Sequence, residues 1–345
     1  MTTGVDQDDA AALRLRERMN EVRWGIIGCG DVTEVKSGPA LQKVAGSRLV
    51  AVMRRDAAKA ADYAKRHGVP AWYDDADRLI NDPNVNAIYV ATPPSSHADY
   101  ACRAAAAGKA VYVEKPMATT ADECRRMIAA CNAAGVPLFV AYYRRRLPRF
   151  VKVKELIDSG AIGSPRTVSV HLWRPAGKSE TAGNNWRVDP AIAGGGLFLD
   201  LASHTLDLLD ELLGPLQSAG GTATNLGGHY DAEDVVAGHF CFQSGVIGSG
   251  SWCFVAGVSR DVVEIVGSRG VVRFPTFGEQ PVTLENADGV QAFTIAHPPH
   301  VQQPLIETVV NNLLGRGVCP STGETALRTT LALDAMIADW RSSQR

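Results

Sequence analysis

Between Val22 and about Val140 the apolar positions fall in short runs: Val22 to Gly28, Leu49 to Met53, Ala71 to Tyr73, Ala87 to Ala91, Ala110 to Val113 and Leu138 to Ala141. Alanine-rich stretches of helical character separate several of them, Ala57 to His67, His97 to Ala107 and Ala121 to Ala134. They are followed by Gly68, Gly108 and Gly135, where a helix C-terminal cap belongs. Repeated alternation of strand and helix predicts an α/β fold with a doubly wound, mainly parallel sheet. After Pro148 the pattern changes. One helix, Arg149 to Ser159, ends at Gly160. Strand-like runs then dominate, at Thr167 to Leu172, Val235 to Phe242, Val246 to Phe254, Val262 to Val266, Val271 to Phe274 and Ala292 to Ile295. Turn signals at Gly245 and at Ser268-Arg269-Gly270 make this half an α+β domain with an open, mainly antiparallel sheet. The final helices, Leu305 to Leu314 and Thr325 to Trp340, are expected to pack back on the first domain or on the sheet.

The domain division that follows is an N-terminal extension over 1–20, a doubly wound domain over 21–147 and a second, α+β domain over 148–345. The extension carries Asp6, Asp8, Asp9, Arg14, Arg16 and Arg18 around Leu13 and Leu15, and reads as a loosely docked helix rather than a signal peptide. A length of 345 residues exceeds one hydrophobic core, which agrees with two domains. A net charge of -2 gives no electrostatic reason to expect nucleic acid or an anionic membrane, and no apolar stretch is long enough to cross a bilayer. Seven scattered cysteines without a C-x-x-C pair fit reduced thiols in a cytoplasm. His297 and His300 flank Pro298-Pro299 with no other ligand type nearby, so no metal site is expected.

Candidate chemistry begins at the strand ends. Gly28-Cys29-Gly30 follows the first strand, and Asp31 to Val44 is expected to form the helix after it. One glycine permits the tight turn and the other lets a pyrophosphate approach the backbone, with Asp31 and Val32 opening the helix. Thr33 stands where the usual third glycine falls. The second strand ends in Met53-Arg54-Arg55-Asp56, where an acidic residue would hold the ribose hydroxyls of NAD. Two guanidinium groups suit a 2'-phosphate, and Asp56 is placed to cap the following helix. NADP(H) is therefore favoured; the competing reading leaves Arg54 and Arg55 solvated and admits NAD(H). Lys115, at the end of the fifth strand and followed by Pro116, lies where an open α/β sheet holds its ligand.

In the second half, Gly194-Gly195-Gly196 leads into a leucine-rich helix carrying Asp200, His204, Asp207 and Glu211 in one narrow stripe. A helix apolar nearly all round is buried, and a polar stripe on it is costly unless it faces a wet cleft or paired charges. The stripe is expected to face the site.

The glycine loop, Thr92-Pro93-Pro94-Ser95-Ser96-His97, Ala107-Gly108-Lys109 leading to Glu114-Lys115-Pro116, and the triple glycine before Asp200 and His204 together resemble the glucose-fructose oxidoreductase, inositol dehydrogenase and rhizopine catabolism (Gfo/Idh/MocA) family. The resemblance implies a Rossmann domain, a second open-faced domain used for oligomer contacts, and NAD(P)-linked redox at a sugar or cyclitol carbon. It implies that Lys115, Asp200 and His204 are catalytic. It further implies that Thr92, Pro93, Glu114 and Lys115 lie beside the cofactor, joining Gly28, Gly30, Asp31, Val32, Arg54 and Arg55 from the loop and strand end above; the missing acidic residue after the second strand and Thr33 in place of the third glycine depart from the family's pattern. His97 is counted with them, although its place also suits the start of the next helix. Tyr143, Arg144, Trp186 and Arg187 fall where family members line the sugar pocket, although Tyr143 and Trp186 equally suit packing. The expected activity is NADP-dependent hydride transfer on a sugar, anhydro-sugar or cyclic polyol by a homodimer or homotetramer. The alternatives are an NAD-dependent inositol or dihydrodiol dehydrogenase, a glycosidase that retains NAD, and a non-catalytic nucleotide-sensing regulator.

Overall fold

A computed structural model describes residues 19–183 and 185–344. Most of the N-terminal extension lies outside them. The chain divides into two compact units, each assembled from separate stretches. The first takes the chain up to Ala118, then Asp122–Tyr143 and Pro298–Glu324; the second takes Thr119–Ala121, Arg144–His297 and the chain from Thr325.

The first unit holds a sheet of six strands: β1 (Val22–Ile27), β2 (Ser47–Met53), β3 (Ala71–Tyr73), β4 (Ala87–Val90), β5 (Ala110–Val113) and β6 (Leu138–Val140). Their order is β3-β2-β1-β4-β5-β6 and every pairing is parallel. The winding reverses between β1 and β4, and the carboxyl ends of these two strands border the crevice where such sheets bind ligands. Continuous apolar sequence follows from burial on both faces: all four residues of β4 and all four of β5 are buried. Gly68 and Gly108 sit at φ +64° and +70°, the left-handed geometry expected just past a helix.

One helix expected here is two. Asp31–Val35 stops short, and Gly38–Lys43 starts again with Pro39 near its beginning. Proline fixes its own φ and disfavours helix at the residue before it, and Gly38 permits a close approach: a Cβ there would collide with the carbonyl of Thr33 and the hydroxyl of Tyr63.

The second unit holds eight strands: β7 (Pro165–Trp173), β8 (Leu216–Thr224), β9 (Val235–Phe242), β10 (Ile247–Cys253), β11 (Arg260–Gly267), β12 (Gly270–Phe274), β13 (Val282–Asn286) and β14 (Gly289–Phe293). Their order is β14-β13-β12-β11-β7-β10-β9-β8, antiparallel except where β10 runs parallel to β7. Val168, Val170 and Leu172 alternate inward along β7, the signature of a sheet covered on one face. The sequence pattern misses β8 and β13 and places the last strand three residues late. In β8, Gly220 and Gly221 erase the alternation, yet Gly221 is needed: a Cβ there would lie 2.6 Å from the carbonyl of Ala237. The expected terminal helix is likewise divided, into Gly323–Met336 and Ala338–Ser343. The Leu197–Leu213 helix is buried along most of its length and packs against β9 and the Pro148–Asp158 helix.

Candidate functional site

In the first unit the glycine loop is built for close backbone approach. Gly28 has φ +88°, and a side chain there would meet Thr92 Cγ2 at 2.6 Å, so the loop packs directly on the turn after β4. Gly30 differs: a Cβ would find nothing nearer than Arg54 Nη1 at 3.8 Å, so it borders open space that a side chain would fill. Thr33 is buried and takes up the cap, its hydroxyl accepting from the Gly30 N–H at 2.9 Å. Asp31 is exposed and Val32 half-buried beside it. Cys29 turns inward, and burial pushes its thiol up to about 11, which leaves it protonated and inert at neutral pH.

At the end of β2, Arg54 Nη1 donates to the carbonyl of Cys29 at 3.4 Å, which stands the guanidinium over the glycine loop. Arg55 is exposed. Asp56 accepts from the Lys59 N–H at 3.1 Å and so is occupied as the N-cap of the Ala57–His67 helix. A bare glycine cradle under an arginine fits a dinucleotide phosphate chain, and no carboxylate from this strand end is positioned by the same means.

Around β5 the expected cofactor residues divide. Thr92 and Lys115 are half-buried and Pro93 is exposed. His97 is completely buried, with Nε2 2.7 Å from the carbonyl of Thr92 and Nδ1 3.1 Å from that of Pro116. Its ring therefore braces the β4 turn against the Lys115-Pro116 turn. Glu114 is buried as well: Oε1 accepts from Tyr89 at 2.5 Å and from Gln302 at 2.6 Å, and Oε2 from the backbone N–H of Lys115 at 3.1 Å. Its geometry too is that of an internal brace. Gln302, far along the chain, carried no sequence signal.

In the second unit the predicted residues gather in two contacts. Arg187 lies over the ring of Trp186 at 4.5 Å and reaches Asp200 with Nε to Oδ2 at 3.7 Å. Asp200 opens the Leu197–Leu213 helix, and His204, one turn on and buried, meets Phe277 edge-on at 5.8 Å. Arg144 covers the same Phe277 ring at 4.4 Å while Nε donates to the carbonyl of Thr276. Phe277 was not anticipated. Its loop is pinned by Asp261, whose carboxylate accepts the backbone N–H groups of Thr276, Phe277 and Gly278. Tyr143 is buried in the first unit.

The four-residue stripe on the Leu197–Leu213 helix is corrected. Asp207 forms a two-bond pair with Arg145 at 2.8 and 2.7 Å, and Arg145 also reaches Asp210 and Glu211. Arg328 closes the cluster on Asp210. Burial pushes Asp207 up to about 6, against the lowering pull of Arg145. Paired charge, rather than a wet cleft, accommodates the lower half of the stripe. At the helix start, buried Glu233 accepts the Gly196 N–H at 2.8 Å; burial raises it to about 7. A Cβ on Gly196 would collide with the backbone carbonyl of Glu233, and one on Gly195 would lie 2.6 Å from Leu199 Cδ1 and 3.2 Å from the Glu233 carboxylate. Among the described residues no group of three or more His, Cys, Asp or Glu could hold a metal ion, and no helix is long and apolar enough to cross a membrane.

Comparison with known proteins identifies the family. The profile of the oxidoreductase family with an NAD-binding Rossmann fold matches residues 22–142, and that of the Gfo/Idh/MocA C-terminal domain matches 150–273. The chain is 40% identical to Oxidoreductase P35 of Formosa agariphila over 91% of its own length and 98% of that protein. It is 29% identical to 1,5-anhydro-D-fructose reductase of Ensifer adhaerens, covering 90% and 95%. The aldose-aldose oxidoreductase of Caulobacter crescentus superposes with a TM-score of 0.83 at 25% identity, over 94% and 98% of the two chains. Levoglucosan dehydrogenase, solved with NADH and levoglucosan, shares the fold with a TM-score of 0.81 at 23% identity, covering 93% and 98%. The glycine cradle, the braced lysine turn and the helix bearing Asp200 and His204 thus belong to an oxidoreductase of the Gfo/Idh/MocA family.

Proposed function

We propose that the protein transfers a hydride between NADP(H) and a hydroxyl-bearing carbon of a sugar, anhydro-sugar or cyclic polyol. The observation that carries the cofactor choice is Arg54 over the glycine loop while Asp56 is spent as a helix cap. Gly28, Gly30, Arg54 and Arg55 would hold the dinucleotide, with Asp31, Val32, Thr92 and Pro93 along its path. When bound, the nicotinamide supplies or accepts the hydride. The protein's part is the proton. The Lys115 ammonium polarises the reacting oxygen, and His204, of a residue type that titrates near neutral pH, exchanges the proton. Asp200 accepts a hydrogen bond from a neighbouring hydroxyl, steered by Arg187. Trp186, Arg144 and Tyr143 complete the polyol contacts, an aromatic and guanidinium set suited to a hydroxylated ring. Relatives named for anhydrofructose and levoglucosan support the substrate class. The NADH in the levoglucosan dehydrogenase complex supports NAD(H) as the competing cofactor.

Steady-state assays over a panel of sugars, anhydro-sugars, inositols and dihydrodiols with both cofactors test this reading. Arg54→Asp with Arg55→Ala should lower the NADPH-to-NADH ratio of kcat/KM at least about tenfold, since a single hydrogen bond to a charged group is already worth that much. An unchanged ratio sinks the NADP assignment. Lys115→Met and His204→Ala should each lower kcat by about 10²- to 10⁴-fold. Assembly as a homodimer or homotetramer through the second unit's sheet, where Ile247 is exposed, is checked by light scattering.

A further inference from the structure

Gln302 joins three parts of the first unit that lie far apart in sequence. It is fully buried. Its Nε2 donates to Glu114 at 2.6 Å, and its Oε1 accepts from the Tyr112 hydroxyl at 3.1 Å. Its backbone N–H donates to the carbonyl of Lys36 at 3.2 Å. Lys36 ends the short helix that follows the glycine loop. Two residues before Gln302, His300 Nδ1 donates to the carbonyl of Val35 at 2.6 Å, so the segment around Gln302 is stitched along the end of that helix. Tyr89 makes a second tie, lying 3.2 Å from Ser37 Oγ while donating to Glu114. Glu114 in turn accepts the backbone N–H of Lys115. The stacked rings of Tyr89 and Tyr112, 4.9 Å apart, wall the network off.

The amide can serve in one orientation only. Its NH₂ must face the acceptor-only carboxylate, because the reverse setting would bring two acceptor oxygens together there; the tyrosine hydroxyl, able to donate or accept, then donates to the amide oxygen. In a buried network a mismatched member costs more than an absent one, so the orientation is held firmly. We propose that Gln302 is a positioning residue, which through Glu114 fixes the Lys115 turn against the helix that follows the glycine loop. This inference rests on the role given to Lys115 above.

Gln302→Glu tests it in the full-length protein. It keeps the shape but sets two carboxyl oxygens at hydrogen-bond distance, and such a pair must share a proton. The titratable groups around Glu114 are Tyr89, Tyr112, His97 and Lys115, with Tyr143 and Cys319 next to Tyr112; burial raises both Tyr89 and Tyr112 and lowers His97. The unsubstituted protein therefore serves as the control for a new acid-side dependence. We expect kcat of the variant to approach the wild-type value at low pH and to fall at least about tenfold as the shared proton is lost, with KM for NADPH within about threefold. Gln302→Met, which cannot donate, should show the low kcat at every pH. Competitive labelling of the Lys115 amine with acetic anhydride, followed by peptide mass spectrometry, supplies a readout without turnover: its rate in Gln302→Glu should change across the same pH interval. A kcat and a labelling rate that both track the wild type overturn the proposal. So does a loss seen only where circular dichroism shows the chain unfolded at the assay temperature. If the wild type turns over no NADPH with any polyol, the functional reading fails while the labelling result still decides the positioning role.

Discussion

At the scale of single residues, the buried carboxylates separate support from chemistry. Glu233 is held at about 7 by burial, well above its ordinary value of 4.5, so the folded chain binds a proton there that the unfolded chain releases. Stability from this group is full below pH 4.5 and is lost as pH rises through 7. Glu233→Gln keeps an acceptor for the Gly196 N–H and removes that loss. The variant should match the wild type in thermal unfolding at about pH 4.5 and exceed it by roughly 3 kcal/mol at about pH 8.5, because each tenfold change in proton affinity is worth about 1.4 kcal/mol. An equal difference at both pH values would contradict the assignment. Lys115, Asp200 and His204 stood out in the sequence because a charged residue after an apolar strand, or on an apolar helix, needs a reason. Phe277 and Gln302 did not, because an aromatic in a loop and an amide before a helix are ordinary until the fold brings Arg144, His204 or Glu114 to them.

At the scale of elements, the Leu197–Leu213 helix combines two jobs in sequence order. Its first turns carry Asp200 and His204, and its later turns are fastened by Arg145 through Asp207, Asp210 and Glu211. Removing one member of a buried ion cluster leaves the others uncompensated. Arg145→Met should therefore cost about 3–5 kcal/mol in urea denaturation. Asp207→Asn should lower stability but leave the pH profile of kcat unaltered; a shifted profile would return Asp207 to the proton-handling set. Periodicity placed all four polar residues on one stripe correctly. It could not show that an arginine from the Tyr143–Arg146 turn would occupy half of it. Strand positions in the first unit were legible for a related reason, since strands buried on both faces appear as unbroken apolar runs. The half-exposed β8, with its paired glycines, offers no such run.

At the scale of the molecule, the first unit is completed by a distant part of the chain. Pro298–Glu324 supplies Gln302 to Glu114, Ser321 to the backbone of Val140, and the bridge from Thr322 to Phe139. A fragment of residues 19–143 should consequently melt without cooperativity, whereas the same fragment joined through a flexible linker to residues 298–324 should regain a cooperative transition by circular dichroism. Equal melts would show the segment to be dispensable. The pattern of strands and helices revealed the Rossmann order but not this return, because nothing in the local sequence of a helix records which unit it will join. The same arrangement imposes a schedule on synthesis. The last residue of the first stretch is Tyr143 and the completing stretch ends at Glu324, so 181 residues (324 less 143) must be added in between. At about 5–20 residues per second, the nascent nucleotide-binding half waits roughly 9–36 s with the seat of Gln302 vacant. During that interval the ribosome-bound chain presents apolar surface to chaperones, and the second unit, which draws on the chain from Thr325, is completed only after the first has been closed.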